Sequence, residues 1–544
     1  MKLIKTPLSL ALLSGLLLAA AWPETGFFTG FIFIALVPLL LVEKQFSQQK
    51  KPLYLFSLAA FLTFFVFNAL SLRWLFLVSE PIGVKIVSIL FPAIVNGLLM
   101  TITITIASYV VRHVGRKEGV VGFIIFWLGF EYLHYNWEFN FPWLTFGNVF
   151  ANHPELVSWY SVTGVHGGSL WIWITNLLLL EIMVNRKQWS KKLITGLGLI
   201  IAVPLIWSYS ITVPEPISSI DVGVIQPNYD PYDAKFYTDP MLQMDEMIAL
   251  SNQVQDADWV VWPETALQEQ AVIQRGMEGA ELYGLWESQL MESQSIKMIR
   301  AWQNDSIQAK PNVIAGMSSR SWITDVTETE YYSRAIPSEK AWYNNYNSAI
   351  AVDDSLTIYH KNKLVAGVET FPYARLLKPL ESLILDMGGT TGSLGRSKTP
   401  VLMGEVGEEV APIICYESIF GEWVGGFVQQ GATWLAVMTN DGWWGNGAGY
   451  KQHLAYARLL AVSHQRWVVR SANTGISGFI NPEGALVNAT HWWQAEALQQ
   501  TIELYSHQTF YTKHGDYLGR NAGFLALLLW CLAFVRKRKN KGIA

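Results

Sequence analysis

A succession of long apolar runs fills the first 211 residues and restricts the fold more than any other feature of the chain. A helix needs about 20 residues to cross a hydrocarbon core of roughly 30 Å. The runs predict helices at about 6–22, 27–43, 53–78, 84–111, 119–134, 161–184 and 193–211, with one more at 522–535. We therefore predict a membrane α-helical bundle of about eight transmembrane helices, with a large polar domain inserted before the last one.

The composition agrees with a membrane protein. Hydrophobic residues make up 51% of the chain and charged residues only 15%, whereas a soluble protein has about 25% charged residues. The net charge is −4, and the basic residues do not gather on one stretch as a nucleic-acid footprint requires. Nucleic acid is therefore excluded as a partner, and the membrane is expected to be one.

Clusters of basic residues fall in alternate loops and so predict the orientation of the chain. The loops near 23–24, 79–81 and 131–142 carry no Lys or Arg. By the positive-inside rule, both termini are predicted to be cytoplasmic and the polar domain extracytoplasmic. The predicted orientation assumes that the first apolar run is an uncleaved helix and not a signal peptide, because another apolar run follows almost at once. The basic side is marked by Lys2, Lys5, Lys44, Lys50, Lys51, Arg112, Arg116, Lys117, Arg186, Lys187, Lys191 and Lys192, and by "RKRKNK" after the last helix.

These predictions divide the chain into three parts. They are a transmembrane bundle at 1–211, an extracytoplasmic domain at 212–518, and a C-terminal helix with a basic tail at 519–544. Cys415 lies in the domain and Cys531 lies in the last helix. A disulfide needs Cα atoms within about 7 Å of each other, and a residue of the polar domain is not expected to come that close to one inside a membrane helix. We therefore predict that Cys415 is a thiol even in an oxidising compartment.

Short apolar strands in the polar domain stop at polar residues. The strand in "DWVVWPET" ends at Glu264, the hairpin in "SAIAVDDSLTIYHKNKL" ends at Lys361, and "VAPIICYES" ends at Cys415. Helical patterns lie between several strands, which predicts a layered α/β domain. Ligands gather at the carboxyl ends of strands in such sheets, so these side chains are predicted to share one site. The polar segment from Gln268 to Ser306 is predicted to be an insertion whose arms flank that site.

The three side chains suit attack on a carbonyl carbon. A thiol needs a base, and a carboxylate can serve when burial raises its pKa. A lysine ammonium stabilises the thiolate and the oxyanion, and a helix that begins after Cys415 would favour the thiolate further. Residue types alone leave ordinary roles open: Cys415 as a core residue, Glu264 as an acid at a helix start, and Lys361 as a solvated charge.

At these residues the chain resembles the apolipoprotein N-acyltransferases, a family of membrane enzymes with a nitrilase-type Glu–Lys–Cys domain. The resemblance covers nearly the whole chain, and its motifs occur in the order of the family. They are "FPWLTFGN" (141–148), "GVHGGSLW" (164–171), "WPET" (262–265), "YHKNKLV" (359–365), "ICYES" (414–418), "NDGWWG" (440–445), "RSANTGISGFI" (470–480) and "TFYTKHGD" (509–516).

The resemblance implies a fold, a location and a reaction. The fold would be a nitrilase-like α-β-β-α sandwich on the periplasmic side of the bacterial inner membrane, without a cofactor. Cys415 would attack the sn-1 ester of a phospholipid, most plausibly phosphatidylethanolamine, and form a thioester. The acyl group would then pass to the α-amine of an S-diacylglyceryl-cysteine in a lipoprotein. Glu264 would act as the general base and Lys361 would stabilise the oxyanion.

The resemblance also implies supporting residues. Glu369 would support Lys361 or the base, Tyr416 would position the thioester, and Glu417 matches a family glutamate after the Cys-Tyr pair. Two stretches depart from the family pattern. "LVAGVETFP" (364–372) replaces a proline-phenylalanine-glycine run, which predicts a different loop shape. Ser463 stands where an acidic residue is expected, which predicts the loss of one contact near the site.

A lipid substrate gives some aromatic and charged residues a second interpretation. Trp443 and Trp444, between two glycines, form either a mobile aromatic lip or part of the core. Arg73, near the outer end of the third predicted helix, either binds a lipid phosphate or snorkels to the interface. Glu131 and His134, near the end of the fifth predicted helix, are predicted to be interfacial rather than catalytic.

Metal chemistry has little support, because the chain contains no HExxH or CxxC spacing. Two other functions stay open besides acyl transfer. A membrane-tethered carbon–nitrogen hydrolase would use the same three residues with water, although a tether needs only one helix. A non-catalytic lipid or lipoprotein binder would function without the Cys415 thiol.

Overall fold

A computed structural model describes residues 6–115, 119–184, 191–269, 284–304, 311–336, 340–374 and 393–542. The chain divides into two compact units. The helical unit comprises the chain up to Thr212, the segment Gly447–Ala455 and the chain from His514 onward, and the α/β unit comprises Val213–Asn446 and Tyr456–Lys513. The segment Gly447–Ala455 thus belongs to the helical unit, although it lies inside the predicted domain at 212–518. The basic residues at 2, 5, 116, 117, 186 and 187 lie outside the described residues.

Each predicted membrane run contains a helix in the structure. Six helical stretches are long and apolar enough to cross a membrane among the described residues, whereas Pro7–Ala21 is shorter. The number of eight crossings therefore stays a prediction. The α-helices of this unit are Pro7–Ala21, Ile32–Ala35, Val37–Gln48, Leu53–Ser71, Ile82–Val114, Val121–Asn136, Tyr160–Thr163, Val165–Val184, Lys191–Ser210 and Tyr517–Gly542.

Polar side chains inside the helical unit are paired between helices. Asn96 Nδ2 donates to Asn68 Oδ1 at 2.7 Å, and Thr63 Oγ1 donates to the main-chain oxygen of Ala11 at 2.8 Å. No water is present in a hydrocarbon core to satisfy such groups, so neighbouring helices must supply their partners. These pairs help to set how the helix Leu53–Ser71 packs against the helices on either side of it.

The predicted helix at 53–78 ends earlier, at Ser71, and a 3-10 helix follows at Arg73–Leu77. Hydropathy alone continues the helix through this apolar stretch. The carbonyl oxygen of Ser71 instead lies 3.4 Å from Gln452 Nε2, which belongs to the same unit but lies far along the chain. A helix end can stop where distant side chains satisfy its last carbonyls, and such partners leave no local signal in the sequence.

The prediction that Glu131 and His134 are interfacial is wrong, because both side chains are buried. Glu131 Oε1 accepts hydrogen bonds from Trp127 Nε1 and from the main-chain nitrogen of Phe146, each at 2.9 Å. His134 Nδ1 accepts from Trp137 Nε1 at 3.0 Å. The carboxylate therefore anchors the loop that contains "FPWLTFGN" from inside the unit, a pairing that their position near a helix end does not reveal.

Two mixed sheets form the α/β unit and confirm its predicted layered fold. An eight-stranded sheet has the order β13-β1-β2-β4-β6-β5, with β3 beside β4 and β7 beside β6, and a five-stranded sheet has the order β12-β11-β10-β9-β8. The strands are β1 Ser218–Gln226, β2 Trp259–Val261, β3 Leu285–Trp286, β4 Asn312–Ile323, β5 Arg334–Ile336, β6 Ala341–Val352, β7 Leu356–His360, β8 Val410–Ile414, β9 Trp434–Thr439, β10 Val468–Ala472, β11 Gly478–Ile480, β12 Leu486–Ala489 and β13 Glu496–Leu504.

The two sheets face each other, with helices on their outer sides. Ser471 on β10 donates to the main-chain oxygen of Ile225 on β1 at 2.8 Å and so links the sheets. A hydrophobic cluster that includes Trp262, Met244 and Ile299 packs the helices against the eight-stranded sheet. The α-helices of this unit are Ala234–Tyr237, Pro240–Ser251, Gln294–Asn304, Gly421–Gln430 and Phe510–His514, and Ala448–His464 begins in the helical unit.

The predicted insertion at 268–306 is wrong for the part of it that the structure describes from residue 284 onward. There β3 pairs with β4, and the helix Gln294–Asn304 buries Ile296 and Ile299 in the core of the domain. The polar composition of this segment reflects one solvated helix face, because apolar residues at helical spacing occupy the other. Residues 270–283 lie outside the described residues.

Candidate active site

Strand ends bring Glu264, Lys361 and Cys415 into one buried cluster. Glu264 follows β2, Lys361 directly follows β7, and both strands belong to the eight-stranded sheet. Cys415 directly follows β8 of the five-stranded sheet. Because the two sheets face each other, these residues meet between them: Lys361 lies 3.3 Å from Glu264, and both carry charges that act on Cys415.

Two donors bridge two carboxylates at the centre of the cluster. Lys361 Nζ lies 2.9 Å from Glu369 Oε1 and 3.3 Å from Glu264 Oε1. Asn347 Nδ2 donates to the same two oxygens, at 2.9 and 2.8 Å respectively. Each of these two carboxylate oxygens thus receives one charged and one neutral donor, an arrangement that leaves the lysine and the glutamates little freedom to move.

The charge state of Lys361 follows from these contacts. Burial acts to lower the pKa of Lys361, but the negative charges of Glu369 and Glu264 outweigh it and raise the pKa above its ordinary value. The side chain therefore stays an ammonium group at all physiological pH values. A permanently charged donor in a buried site suits the stabilisation of a developing oxyanion.

The Cys415 side chain is a buried thiol on a strained turn. Cys415 has a φ of +49°, a left-handed value that is rare for a residue with a Cβ. Burial raises the pKa of the thiol, and the charge of Glu264 raises it further, while Lys361 acts in the opposite direction. The resting sulfur is consequently protonated, so attack on a carbonyl requires a base. Neither Cys415 nor Cys531 is in a disulfide, as predicted.

The helix expected after Cys415 is present only in part. The residues from Cys415 to Ile419 form a five-residue 3-10 helix, and the α-helix begins at Gly421. A short 3-10 helix contributes little dipole to the thiolate. Hydrogen bonds and charges from side chains, rather than a helix terminus, therefore set the reactivity of this sulfur.

Glu417 ties the strand that carries Cys415 to the loop that carries Lys361. Its Oε1 accepts from the main-chain nitrogens of Asn362 and Lys363 at 2.7 and 3.1 Å, and its Oε2 accepts from that of Ile414 at 3.0 Å. Tyr359 also donates its hydroxyl to Oε1, at 2.6 Å. Burial raises the pKa of Glu417, whereas these hydrogen bonds act to lower it.

The loop at 364–372 contains a left-handed turn and a main-chain hydrogen bond that fix the position of Glu369. The main-chain nitrogen of Val365 donates to Glu369 Oε2 at 2.8 Å, and Gly367 has a φ of +81°. The glycine permits the left-handed turn that brings the carboxylate back to Lys361. The departure from the family pattern therefore changes the loop residues while Glu369 still reaches the ammonium group.

Tyr416 and Ser463 have contacts of different kinds. Tyr416 is buried, and its ring meets Phe420 edge-on with a centroid distance of 5.2 Å. Ser463 is buried too, and its hydroxyl donates to the main-chain oxygen of Leu459 in its own helix at 2.8 Å. The serine is therefore satisfied within its helix, and the loss of a contact near the site stays a prediction.

The predicted lipid-facing residues are partly or fully exposed. Trp443 and Trp444 are half-buried in a 3-10 helix, and Tyr232 donates its hydroxyl to the main-chain oxygen of Trp443 at 2.9 Å. Arg73 is exposed and belongs to the helical unit, where its Nη1 lies 3.4 Å from the main-chain oxygen of Thr25. Contacts of these three residues with lipid remain predictions.

The sequence does not predict three further residues that lie at the cluster, which are Lys235, Asn347 and Thr439. Asn347 lies on β6, and its polar position next to the predicted hairpin is a weak signal for a site residue. Lys235 lies in the polar stretch "YDAKFYTDP", where nothing distinguishes it from a solvated lysine. In the structure its side chain is 3% exposed, and its Nζ donates to the main-chain oxygen of Glu264 at 2.8 Å.

Lys235 should make the stability of the protein depend on alkaline pH. Burial lowers its pKa from 10.5 to about 8, against the opposing charge of Glu264. Between these pH values the unfolded chain binds the proton and the folded chain does not, so stability rises with pH in this window. We expect Lys235→Met to be more stable than the wild type at pH 7, and this advantage to shrink by on the order of 3 kcal/mol by pH 10.5.

Thermal unfolding of both proteins at pH 7 and 10 checks this expectation. Lys297→Met is the matched control, because Lys297 is an exposed lysine of the same unit, and its substitution should leave the pH dependence unchanged. A Lys235→Met variant whose stability difference from the wild type is the same at both pH values would contradict the burial of a charged lysine.

Gly316 allows the backbone of Glu264 to approach β4. A Cβ at Gly316 would lie 2.6 Å from each of three backbone atoms, Glu264 Cα, the Pro263 oxygen and the Thr265 nitrogen. Gly316→Ala should therefore displace Glu264 and slow reaction at Cys415 by about 10- to 100-fold, since misplacement by about 1 Å has effects of that size. Alkylation kinetics of Cys415 measure the loss, and Gly198→Ala, which meets no atom within 4 Å, is the control.

Comparisons with known proteins agree with the two-part organisation. Residues 221–510 match the family model of the carbon-nitrogen hydrolases, and residues 14–178 match that of the apolipoprotein N-acyltransferase N-terminal domain. The first of these matches contains Glu264, Lys361 and Cys415, and the second lies within the helical unit.

Similarity to curated relatives extends over nearly the full chain. The apolipoprotein N-acyltransferase of Chlorobaculum tepidum is 28% identical, with coverage of 99% of this chain and 98% of the relative. That of Geobacter metallireducens is 25% identical, with coverage of 97% and 95%. A solved mutant of an amidase of the nitrilase superfamily from Nesterenkonia AN1 is 13% identical, with a TM-score of 0.36, and covers 57% of this chain and 99% of its own.

Proposed function

This chain belongs to the carbon–nitrogen hydrolase family, and we propose that it is a membrane N-acyltransferase that acts on lipoproteins. The observation that carries the proposal is the buried cluster of Glu264, Lys361 and Cys415 in a chain that also matches the N-terminal domain of apolipoprotein N-acyltransferases. The chain is a membrane protein, with several apolar helices long enough to cross a bilayer.

The first half-reaction transfers an acyl group from a phospholipid to the thiol. Glu264 accepts the proton of the Cys415 thiol as the sulfur attacks the sn-1 ester carbonyl, and the oxyanion forms beside Lys361 Nζ. When the carbonyl reforms, the C–O bond of the ester breaks, and Glu264 returns the proton to the oxygen of the departing lysophospholipid. Cys415 then holds the acyl group as a thioester. We take phosphatidylethanolamine as the donor.

The second half-reaction uses the same residues in the reverse sense. The α-amine of an S-diacylglyceryl-cysteine attacks the thioester carbonyl, Lys361 again stabilises the oxyanion, and Glu264 removes a proton from the amine. The C–S bond breaks, and the Cys415 thiolate takes the proton from Glu264. Because both substrates use one site in turn, ping-pong kinetics are expected.

Glu369, Glu417 and Tyr416 act through the reacting groups in this proposal. Glu369 keeps Lys361 charged and oriented, since its carboxylate lies 2.9 Å from Nζ. Glu417 holds the turns that carry Lys361 and Cys415. Tyr416, next to the nucleophile, positions the acyl group of the thioester. Trp443, Trp444 and Arg73 are proposed to contact lipid.

We propose the same orientation that the loop charges predict, with both termini in the cytoplasm and the α/β unit in the periplasm of a bacterial cell. The diacylated amino terminus of a lipoprotein and the outer leaflet phospholipids then lie on the side of Cys415. A C-terminal fusion to alkaline phosphatase, which is active only outside the cytoplasm, should be inactive. An active fusion would contradict this orientation.

An acyl-transfer assay separates the proposal from hydrolysis. The purified full-length protein is supplied with phosphatidylethanolamine that has different acyl chains at sn-1 and sn-2, together with a synthetic diacylated lipopeptide. Mass spectrometry should find the sn-1 chain on the peptide α-amine and an equal amount of lysophospholipid. Release of free fatty acid with no acylated peptide would instead support a hydrolase and overturn the proposal.

A further inference from the structure

The hydroxyl of Thr439 lies between the Cys415 sulfur and a buried carboxylate. Thr439 is the last residue of β9, and its neighbour strand β8 ends immediately before Cys415. Thr439 Oγ1 lies 3.3 Å from Cys415 Sγ and 2.9 Å from Asp441 Oδ1. Thr439 and Asp441 are fully buried, so no bulk water competes for either hydrogen bond.

A threonine hydroxyl has one proton and can donate to only one of these two neighbours at a time. Asp441 is an acceptor, because its Oδ2 lies 2.5 Å from Arg470 Nη2 in a buried ion pair. When Cys415 is a thiol, both contacts are satisfied if the S–H donates to Thr439 Oγ1 and the Thr439 hydroxyl donates to Asp441 Oδ1. The neutral state of the sulfur therefore favours a hydroxyl that points away from it.

The thiolate reverses this preference. A sulfur without its proton can only accept, so its contact with Thr439 becomes favourable when the hydroxyl turns towards it. Asp441 loses one neutral donor in this change but keeps the charge-assisted hydrogen bond from Arg470. Both acceptors are then anions, but the Arg470 guanidinium already compensates the Asp441 carboxylate, so the hydroxyl proton moves to the new charge on the sulfur.

We propose that Thr439 is a further catalytic residue whose hydroxyl turns from Asp441 to the Cys415 sulfur whenever the sulfur carries negative charge. The Thr439 O–H bond stays intact throughout, and the thiol proton passes to Glu264. The same turn assists departure of the thiolate in the second half-reaction. This role deepens the proposed function and rests on it for the acyl groups involved, but not for the behaviour of the thiol itself.

Besides Thr439, several charged groups near the sulfur affect the pKa of Cys415. Glu264 and Asp441 carry negative charges that raise the pKa of Cys415, and Lys361 lowers it. Lys235 approaches from the helix Ala234–Tyr237 and interacts electrostatically with the same sulfur. Substitution of Thr439 changes none of these charges, so a shift in the Cys415 titration isolates the hydroxyl.

Alkylation of Cys415 by iodoacetamide, measured against pH, tests the proposal without any lipid. The background is Cys531→Ser, because Cys531 is exposed and would react as well. Thr439→Ser keeps the hydroxyl and should match the parent profile. Thr439→Val keeps the shape but removes the donor, so its alkylation near pH 8 should be about 10-fold slower and its half-maximal pH roughly one unit higher.

Thr439→Ala provides a second hydroxyl-free variant if the valine variant fails to fold, as judged by thermal unfolding. Both hydroxyl-free variants should behave alike and differ from Thr439→Ser. If a folded hydroxyl-free variant has the same profile as Thr439→Ser, the proposal is overturned. Failure of acyl transfer in the lipid assay would leave this titration unaffected, so the two proposals fail separately.

Discussion

Replacement of Cys415 by serine is expected to reduce acyl transfer by on the order of 10⁴-fold or more, because the reacting atom itself is lost. A serine hydroxyl has a far higher pKa than a thiol, and Glu264 would have to deprotonate it with no change in its own surroundings. Serine is close to cysteine in size and keeps the polar contact with Thr439, so the fold should persist. The rate of N-acylation of a diacylated lipopeptide measures the loss.

Cys531→Ser is the matched control for this substitution. Cys531 is the other cysteine of the chain and is exposed in the helical unit, so its removal should leave the rate unchanged. The Cys415→Ser variant should still bind phospholipid without turnover. If Cys415→Ser retained a tenth of the wild-type rate, a different residue would have to be the nucleophile.

Replacement of Lys361 by methionine should reduce both activity and stability. Removal of one donor to an oxyanion slows catalysis by about 10²- to 10³-fold. The substitution also leaves the buried Glu264 and the partly buried Glu369 without the ammonium group that lies 3.3 and 2.9 Å from them. Loss of one partner of a buried ion pair is destabilising by about 3–5 kcal/mol, so the thermal midpoint should fall as well.

A double substitution separates these two effects. Glu369→Gln in the Lys361→Met background removes one of the two stranded carboxylates, so part of the lost stability should return. Activity should stay low, since no cation is restored beside the oxyanion. Thermal unfolding and single-turnover acylation of Cys415 report the two quantities separately. Recovery of activity together with stability would show that Lys361 acts only on the fold.

The sequence predicts the elements that position the site better than it predicts the contacts inside it. Apolar runs that stop at Glu264, Lys361 and Cys415 locate three strand ends, because burial of a strand leaves a pattern in neighbouring residues. The bridge of Asn347 between Glu264 and Glu369 joins residues far apart in the chain. Such pairings depend on which strands lie near each other in the eight-stranded sheet, and no local pattern encodes that order.

Buried charges are the features that sequence reasoning handles least well. Lys235 lies in a polar stretch of sequence and Glu131 near the end of a predicted helix, so local composition favours water for the first and an interface for the second. The structure buries both against main-chain groups: Lys235 donates to the Glu264 oxygen, and Glu131 accepts from the Phe146 nitrogen. A buried ionisable group is identified only by partners that are distant in sequence.

The intact mass of the protein shows whether Cys415 carries the acyl group. The full-length protein is incubated with phosphatidylethanolamine that has a palmitoyl chain at sn-1 and an oleoyl chain at sn-2, without an acceptor. We predict a mass increase of one palmitoyl group on Cys415, which hydroxylamine releases and a diacylated lipopeptide discharges. Absence of an adduct on Cys415 in folded protein that still acylates the lipopeptide would show that the acyl group does not pass through this thiol.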